Sequence, residues 1–264
     1  MSLTLTSNAP SFRAPVLWGI YLKETHYELL KLVRHHSYLF SIIGIPIGLF
    51  LLFGVAHTET MLHGYPITRY LIASYSCFGG MGAAMFAVGG GLAYERGHGW
   101  LELKRASPMP TFAYLFAKLV SSVVFGELIA MILLAIGAGV IDLQMSAWDI
   151  AHFMLAVAGG VMAFAAIGTF VGLLLAPGSA AGMINLIYLP LALCGGLWMP
   201  LEALPNWLQA IAPILPSYHF SRLALHTLGY FNESEALSWG WLALYTLVFA
   251  AAGTWLFRRQ EAAR

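Results

Sequence analysis

Residues 119–141 read LVSSVVFGELIAMILLAIGAGVI, 23 positions that carry a single charge, Glu127. A helix needs about 20 apolar residues to cross a hydrocarbon core of about 30 Å. The run lacks the strict polar–apolar alternation of a barrel wall, so it predicts a transmembrane helix. Five further blocks repeat the pattern with no charge at all: Tyr38–Ala56, Tyr70–Tyr94, Phe153–Ala176, Ala180–Met199 and Ser238–Phe257. The expected fold is therefore all-α, a polytopic membrane protein with six spans. It divides into a leader over 1–36, a six-span body over 37–258 and a short tail over 259–264.

Composition agrees. Of 264 residues, 59% are hydrophobic and 9% charged, against roughly a quarter charged in soluble domains, and the mean hydropathy is +0.76. A net charge of +1 gives no basis for binding nucleic acid. Cys77 and Cys194 both lie inside apolar blocks, which argues against a disulfide framework and against a zinc site, with its usual four ligands. The first block follows a polar leader and precedes no small-residue cleavage pattern, so it is expected to remain as an anchor.

The charges set an orientation. With both termini in the cytoplasm, inside segments hold Arg13, Lys23, Lys31, Arg34, Arg96, Lys104, Arg105, Lys118, Arg258, Arg259 and Arg264, and outside segments hold only Arg69 and Arg222. That bias is the positive-inside pattern. Acidic residues lean outward, at Glu59, Asp142, Asp149, Glu202, Glu233 and Glu235.

Four segments lie between or before the spans. Ala14–His36 segregates Trp18, Leu22, Leu29, Leu32 and Val33 from Lys23, Glu24, Glu28, Lys31 and Arg34, which predicts an amphipathic helix lying along the membrane surface. Glu95–Pro110, ERGHGWLELKRASPMP, is a polar cytoplasmic loop with its own short apolar pattern, ended by Ser107-Pro108. Pro177-Gly178-Ser179 predicts a tight turn. Pro200–Leu237 is too long for a turn and too apolar for a free loop; Pro205, Pro213 and Pro216 divide it into two short helices that enter the outer leaflet without crossing. Asn232-Glu233-Ser234 matches a glycosylation sequon, a pattern common by chance.

Catalytic and cofactor patterns are missing. The chain has no G-x-x-x-x-G-K-[ST] loop, no H-E-x-x-H and no cysteine pair spaced for a metal. No catalytic or metal-ligating residue is assigned, and no cofactor is expected on this chain. The glycines of the second block and the Gly168/Gly172 pair of the fourth suit close helix packing in lipid. Glu127 stands out, because an ionised carboxylate at membrane depth costs at least about 2.5 kcal/mol. It is either a pathway residue or a structural hydrogen-bonding one. An intramembrane lipid-modifying enzyme using Glu127 or His152 is an alternative reading, as is a plain membrane anchor or sensor.

The loop resembles that of the permease subunits of ABC-2 type exporters. Those share six spans, an amphipathic N-terminal helix and a first cytoplasmic loop reading approximately E-[RK]-x-x-G-[TS]-L-E-x-[LK]-x-x-[ST]-P. The matching residues are Glu95, Arg96, Gly99, Leu101, Glu102 and Ser107-Pro108, with Lys118 at the entrance of the next span; His98 and Trp100 depart from the pattern. The outer connection is also similar, with Gly195-Gly196-Leu197-Trp198-Met199-Pro200, Leu204-Pro205-Asn206-Trp207 and Pro216. The resemblance implies that residues 95–110 form a coupling helix seated in a separate ATP-binding cassette subunit, with Glu95, Arg96, Gly99, Trp100, Leu101, Glu102 and Pro108 as contact or shaping residues. ATP and magnesium would be bound by that partner. The resemblance further implies a second permease subunit, identical or not, and a re-entrant outer gate containing Pro200, Pro205, Trp207, Pro216 and Tyr218. The cell membrane, the bacterial inner membrane by analogy, is the expected location, and drugs, lipid-like amphiphiles or glycolipids the expected cargo.

Overall fold

A computed structural model describes residues 14–57, 60–62, 64–106, 109–141, 143–231 and 234–262. Arg13, Glu59, Ser107, Pro108, Asp142, Asn232, Glu233 and Arg264, which figured in the expectations above, lie outside them.

The chain is almost entirely helical: α1 (Ala14–Arg34), α2 (His36–Gly54), α3 (Ile67–Gly97), α4 (Trp100–Ala106), α5 (Thr111–Ile141), α6 (Ala147–Leu174), α7 (Ala180–Cys194), α8 (Asn206–Ile211), α9 (Pro216–Thr227) and α10 (Ala236–Ala262). A two-residue hairpin, β1 (Met61–Leu62) with β2 (Tyr65–Pro66), joins α2 to α3, pairing Met61 with Pro66 and Leu62 with Tyr65. The helices α2, α3, α5, α6 and α10 are long and apolar enough to cross a bilayer. The fold is thus an all-α polytopic membrane protein.

The block Ala180–Met199 departs from expectation. Its helix α7 stops at Cys194 after 15 residues, about 22 Å of rise, short of a hydrocarbon core of about 30 Å. The break is local chemistry. Gly196 takes φ +75°, a conformation glycine enters without steric cost, and the Tyr70 hydroxyl donates to the Gly196 carbonyl at 2.5 Å. Leu197, beyond the break, is fully buried.

Small residues place α3 at the centre. It is buried along most of its length. A Cβ at Gly80 would stand 2.9 Å from Val161 and one at Gly126 2.8 Å from the same methyl, so α3, α5 and α6 converge there. A Cβ on Gly172 would meet the Gly89 carbonyl at 2.4 Å. Gly89 lies in a π turn of α3, Met85–Gly90, and the Gly168/Gly172 pair of α6 packs on its backbone, as the packing reading of those glycines requires. Ser146 starts α6 with a capping box: its Oγ accepts from the Asp149 amide at 3.2 Å, and Asp149 Oδ2 accepts from the Ser146 amide at 3.0 Å.

The segment after α7 forms a 3₁₀ turn at Leu201–Ala203, the short α8, a second 3₁₀ turn at Ala212–Ile214, and α9. Pro205 precedes α8 and Pro216 occupies the first turn of α9, where its missing N–H leaves no intrahelical bond unmade. Two short helices were expected here and two are present. The second is held inward by Phe220, which fills the space over Gly160 of α6.

Candidate coupling site

The end of the bundle that carries α1 and α4, called the basic end below, is organised by the corner between α3 and α4. The Tyr94 carbonyl accepts from the His98 amide at 3.2 Å and lies 2.9 Å from His98 Nδ1, ending α3. Gly99, at φ +71°, turns the chain, and its carbonyl accepts from the amides of Glu102 and Leu103 to begin α4. A Cβ on Gly97 would collide with Pro177 at 2.3 Å, so the turn between α6 and α7 rests against this corner. Leu101 is buried in a cluster with Leu92, Tyr114, Leu173 and Phe257, which fixes α4 to the ends of α3, α5, α6 and α10.

Two consecutive residues wire the corner in opposite directions. Glu95 is 3% exposed. Its Oε1 accepts from Lys31 of α1 at 2.5 Å and from Lys118 of α5 at 3.0 Å, and its Oε2 accepts from the Tyr114 hydroxyl at 2.6 Å. Glu28 of α1, also buried, accepts from the same two ammonium groups, Lys31 at 2.6 Å and Lys118 at 2.9 Å. Lys118 is wholly buried between the two carboxylates, 5.0 Å from the centre of the Tyr114 ring. A buried charge without a partner costs several kcal/mol; here two Glu and two Lys neutralise one another. Burial of Lys31 acts to lower its pKa, but Glu28 and Glu95 outweigh it and hold the ammonium above its ordinary value.

Arg96 reaches the other way. Its guanidinium donates to the carbonyls of Leu173 and Leu175 at the end of α6 and lies 3.5 Å from the side-chain oxygen of Gln260 on α10. A cation on the exposed carbonyls of a helix C-terminus is favourable both as hydrogen bonding and against the helix dipole. Lys104 of α4 pairs with Glu24 of α1 and lies 4.6 Å from the Tyr114 ring centre. One corner thus grips α1 and α5 through Glu95, and α6 and α10 through Arg96.

The outward side of α4 carries Trp100, 44% exposed, Leu103, 72% exposed, and the exposed carboxylate of Glu102. Trp100 is braced edge-on by Tyr94, ring centres 5.9 Å apart. The sequence-derived coupling residues therefore split: Trp100 and Glu102 face outward, Glu95, Arg96 and Leu101 face the bundle, Gly99 shapes the turn, and Pro108 is outside the described residues.

The sequence reading missed the partners of Glu95. It placed Glu28 and Lys31 on the polar face of a helix lying along the membrane surface, whereas these two point into the bundle beside the buried Leu32, and Trp18 and Leu22 are turned outward, 65% and 67% exposed. Lys118, one position before an apolar run of 23 residues, was the available signal.

The remaining candidates do not join this corner. Glu127 is half-buried on α5, and its Oε1 has no hydrogen-bond partner among the described residues. His152 Nε2 is 3.0 Å from Glu235 at the opposite end of the bundle. Glu127 is 14 positions, about 21 Å, from that end of α5, so His152 and Glu127 stand at different depths. Pro200 leads the first 3₁₀ turn and Trp207 is 64% exposed on α8. Tyr218 of α9 is half-buried, its ring 5.7 Å from the Arg222 guanidinium.

Comparison with known proteins gives a coherent result. The ABC-2 type transporter family matches residues 24–229, a span that includes most of α1, the α3–α4 corner and α9. YvfS of Bacillus subtilis (strain 168), which bears the name of a transport permease, is 29% identical over 244 residues, covering 91% of this chain and 98% of YvfS. The inner membrane transport permease YhhJ of Escherichia coli (strain K12) is 32% identical over 147 residues, covering 53% of this chain and 38% of YhhJ.

Proposed function

This chain belongs to the ABC-2 type transporter family, and from that premise we propose that it is the permease half of an ATP-driven exporter whose nucleotide-binding subunit docks on α4. The observation that carries the proposal is the α3–α4 corner. A short helix exposes Trp100, Leu103 and Glu102 outward while its root is bonded to four other helices through Glu95 and Arg96. A push on α4 cannot be absorbed locally, because the buried charges would separate in a medium that screens them poorly. It must move α1, α5 and the ends of α6 and α10 as bodies, the rigid-body form of switching.

In this reading α7 and the segment after it, which lead from the α3–α4 corner to the opposite end of the bundle, make the sixth crossing, so that both termini and α4 face the cytoplasm, in keeping with the placement of Lys and Arg. ATP and magnesium are bound by the partner, two permease subunits enclose the path, and closure of the ATPase dimer opens it outward. The cargo is an amphiphile, a drug, a lipid-like molecule or a glycolipid, because a path between apolar helices admits such molecules from the bilayer. The outer residues Pro200, Pro205, Trp207, Pro216 and Tyr218 belong to the segment proposed to close that path. The reading is tested by co-purification with an ABC-type ATPase and ATP-dependent flux in reconstituted vesicles. An isolated chain that engages no ATPase, or an α4 accessible only from the extracytoplasmic side, would overturn it.

A further inference from the structure

At the basic end, a groove of about 380 Å³ opens between α5, α6 and α10. Its walls are apolar, with Phe112 and Phe116 on one side and Phe257 at its head. Three threonines also line it, but each has spent its hydroxyl on its own helix: Thr169 donates to Ala165 O, Thr246 to Leu242 O and Thr254 to Ala250 O, all at 2.7–2.8 Å. The one charged group among the described residues that line it is Arg258, exposed at the mouth. From Thr246 to Arg258 the groove follows 12 residues of α10, about 18 Å of rise. That is close to the depth of one leaflet, about half of a 30 Å core.

We propose that this groove binds one acyl chain of an anionic phospholipid, with the lipid phosphate on Arg258. The chemistry of the ligand follows from the lining: a long, mainly apolar slot of leaflet depth, threonine hydroxyls bonded within their own helices, and a guanidinium at the headgroup level. Trp255, 59% exposed one turn away, marks that level as the interfacial belt. The lipid would belong to the cytoplasmic leaflet, and this last point rests on the orientation proposed above. The site lies on the face formed by α5, α6 and α10, and occupancy would wedge the helix ends that Arg96 and Gln260 hold together.

The test is lipid binding, which is independent of transport and of orientation in a symmetric bilayer. The purified full chain is placed in bilayer discs of phosphatidylcholine with one-tenth phosphatidylglycerol, and the lipid that stays bound on extraction is quantified by mass spectrometry. The wild type is expected to retain phosphatidylglycerol above its bulk fraction. Arg258→Ala should reduce that enrichment about fivefold, the loss of about 1 kcal/mol per basic residue near the surface. Ala166→Phe, which fills the groove and keeps every charge, should reduce it as strongly. Arg259→Ala, whose guanidinium lies over Trp255 and outside the lining, should retain it. Equal losses in Arg258→Ala and Arg259→Ala, or full binding in Ala166→Phe, would reduce the effect to diffuse surface charge and overturn the proposal. Disulfide formation between copies of Ala250→Cys would assign the groove to a second chain and overturn it as well.

Discussion

Lys118 and Glu95 meet at 3.0 Å between α5 and α3, with the lysine wholly buried and the glutamate 3% exposed. Each also bonds a residue of α1, Glu28 and Lys31 respectively, so the pair is the link by which a helix at the surface is tied to two that cross the bundle. Removing one partner of a buried pair leaves the other charge uncompensated and costs about 3–5 kcal/mol. Lys118→Met should therefore lower the thermal unfolding midpoint in detergent sharply and reduce the amount of folded protein in membranes. Glu95→Gln, which keeps shape and some hydrogen bonding, should do less. An unchanged midpoint in Lys118→Met would refute the role given to this link.

Transmission through α4 makes a different demand, on function rather than on folding. Trp100 and Glu102 face outward, so Trp100→Asp and Glu102→Ala should accumulate normally in membranes. Flux in vesicles should fall at least tenfold while the ATPase still hydrolyses ATP. Full transport by both variants would remove α4 as the docking element.

Much of the fold was legible because lipid imposes a simple rule. Residues 119–141 must be a helix, since no other element satisfies its backbone within a bilayer unaided. The helix end at Cys194 was only half legible: the Gly195-Gly196 pair marked the outer connection, but the composition continues apolar to Met199, and the bond from Tyr70 to the Gly196 carbonyl joins positions 126 apart. The coupling residues proposed from the motif divide in the structure, with Trp100 and Glu102 outward and Glu95 and Leu101 buried. The charge network was hidden because its bonds join positions 64 and 90 apart in sequence. A helical wheel sorts Glu28 and Lys31 as polar, and only the tertiary structure shows that Glu28 is buried against Lys118 beside Leu32.

Close packing of α3 on α6 gives a steric prediction. The Cβ of any residue at 172 would lie 2.4 Å from the Gly89 carbonyl, which is backbone and cannot turn aside. Gly172→Ala should already destabilise by about 1–3 kcal/mol, the ordinary cost of overpacking, and Gly172→Leu should abolish accumulation. Gly182, where an added Cβ meets nothing, supplies the control: Gly182→Ala should be silent. The comparison needs only membrane levels and fluorescence-detected size exclusion.

At the opposite end, His219 supports α9. Its Nε2 is 2.8 Å from the Pro213 carbonyl, its Nδ1 3.3 Å from the Ser238 hydroxyl, and its ring stacks on Trp241 at 5.4 Å. Burial lowers its pKa; the Pro213 carbonyl opposes this, and Arg222 adds to the lowering. A group depressed in the folded state stabilises above its unfolded pKa, about 6.5, and loses that contribution as pH falls through the folded value. The unfolding midpoint should thus decline on acidification from pH 7 to pH 5. His219→Gln should flatten that decline. Identical pH profiles for the two proteins would exclude His219 as a contributor.

Glu127 is the sharpest test of whether the bundle carries a path. Its Oε1 has no partner among the described residues, and it sits beside Val124, Leu128 and Met131, all exposed to the surroundings of the bundle. A purely structural acid at such depth would be hydrogen-bonded, because an unsatisfied buried polar atom costs about 1–3 kcal/mol. Replacing it should then relieve the structure rather than harm it. Glu127→Leu is expected to raise the unfolding midpoint and Glu127→Gln to leave it near wild type. Both should impair flux at normal membrane levels, the pattern of a site that gives up stability for function. A Glu127→Gln protein that transports at the wild-type rate would remove Glu127 from the path. A Glu127→Leu protein that unfolds at a lower temperature would instead make it a structural bond to a helix of a second subunit.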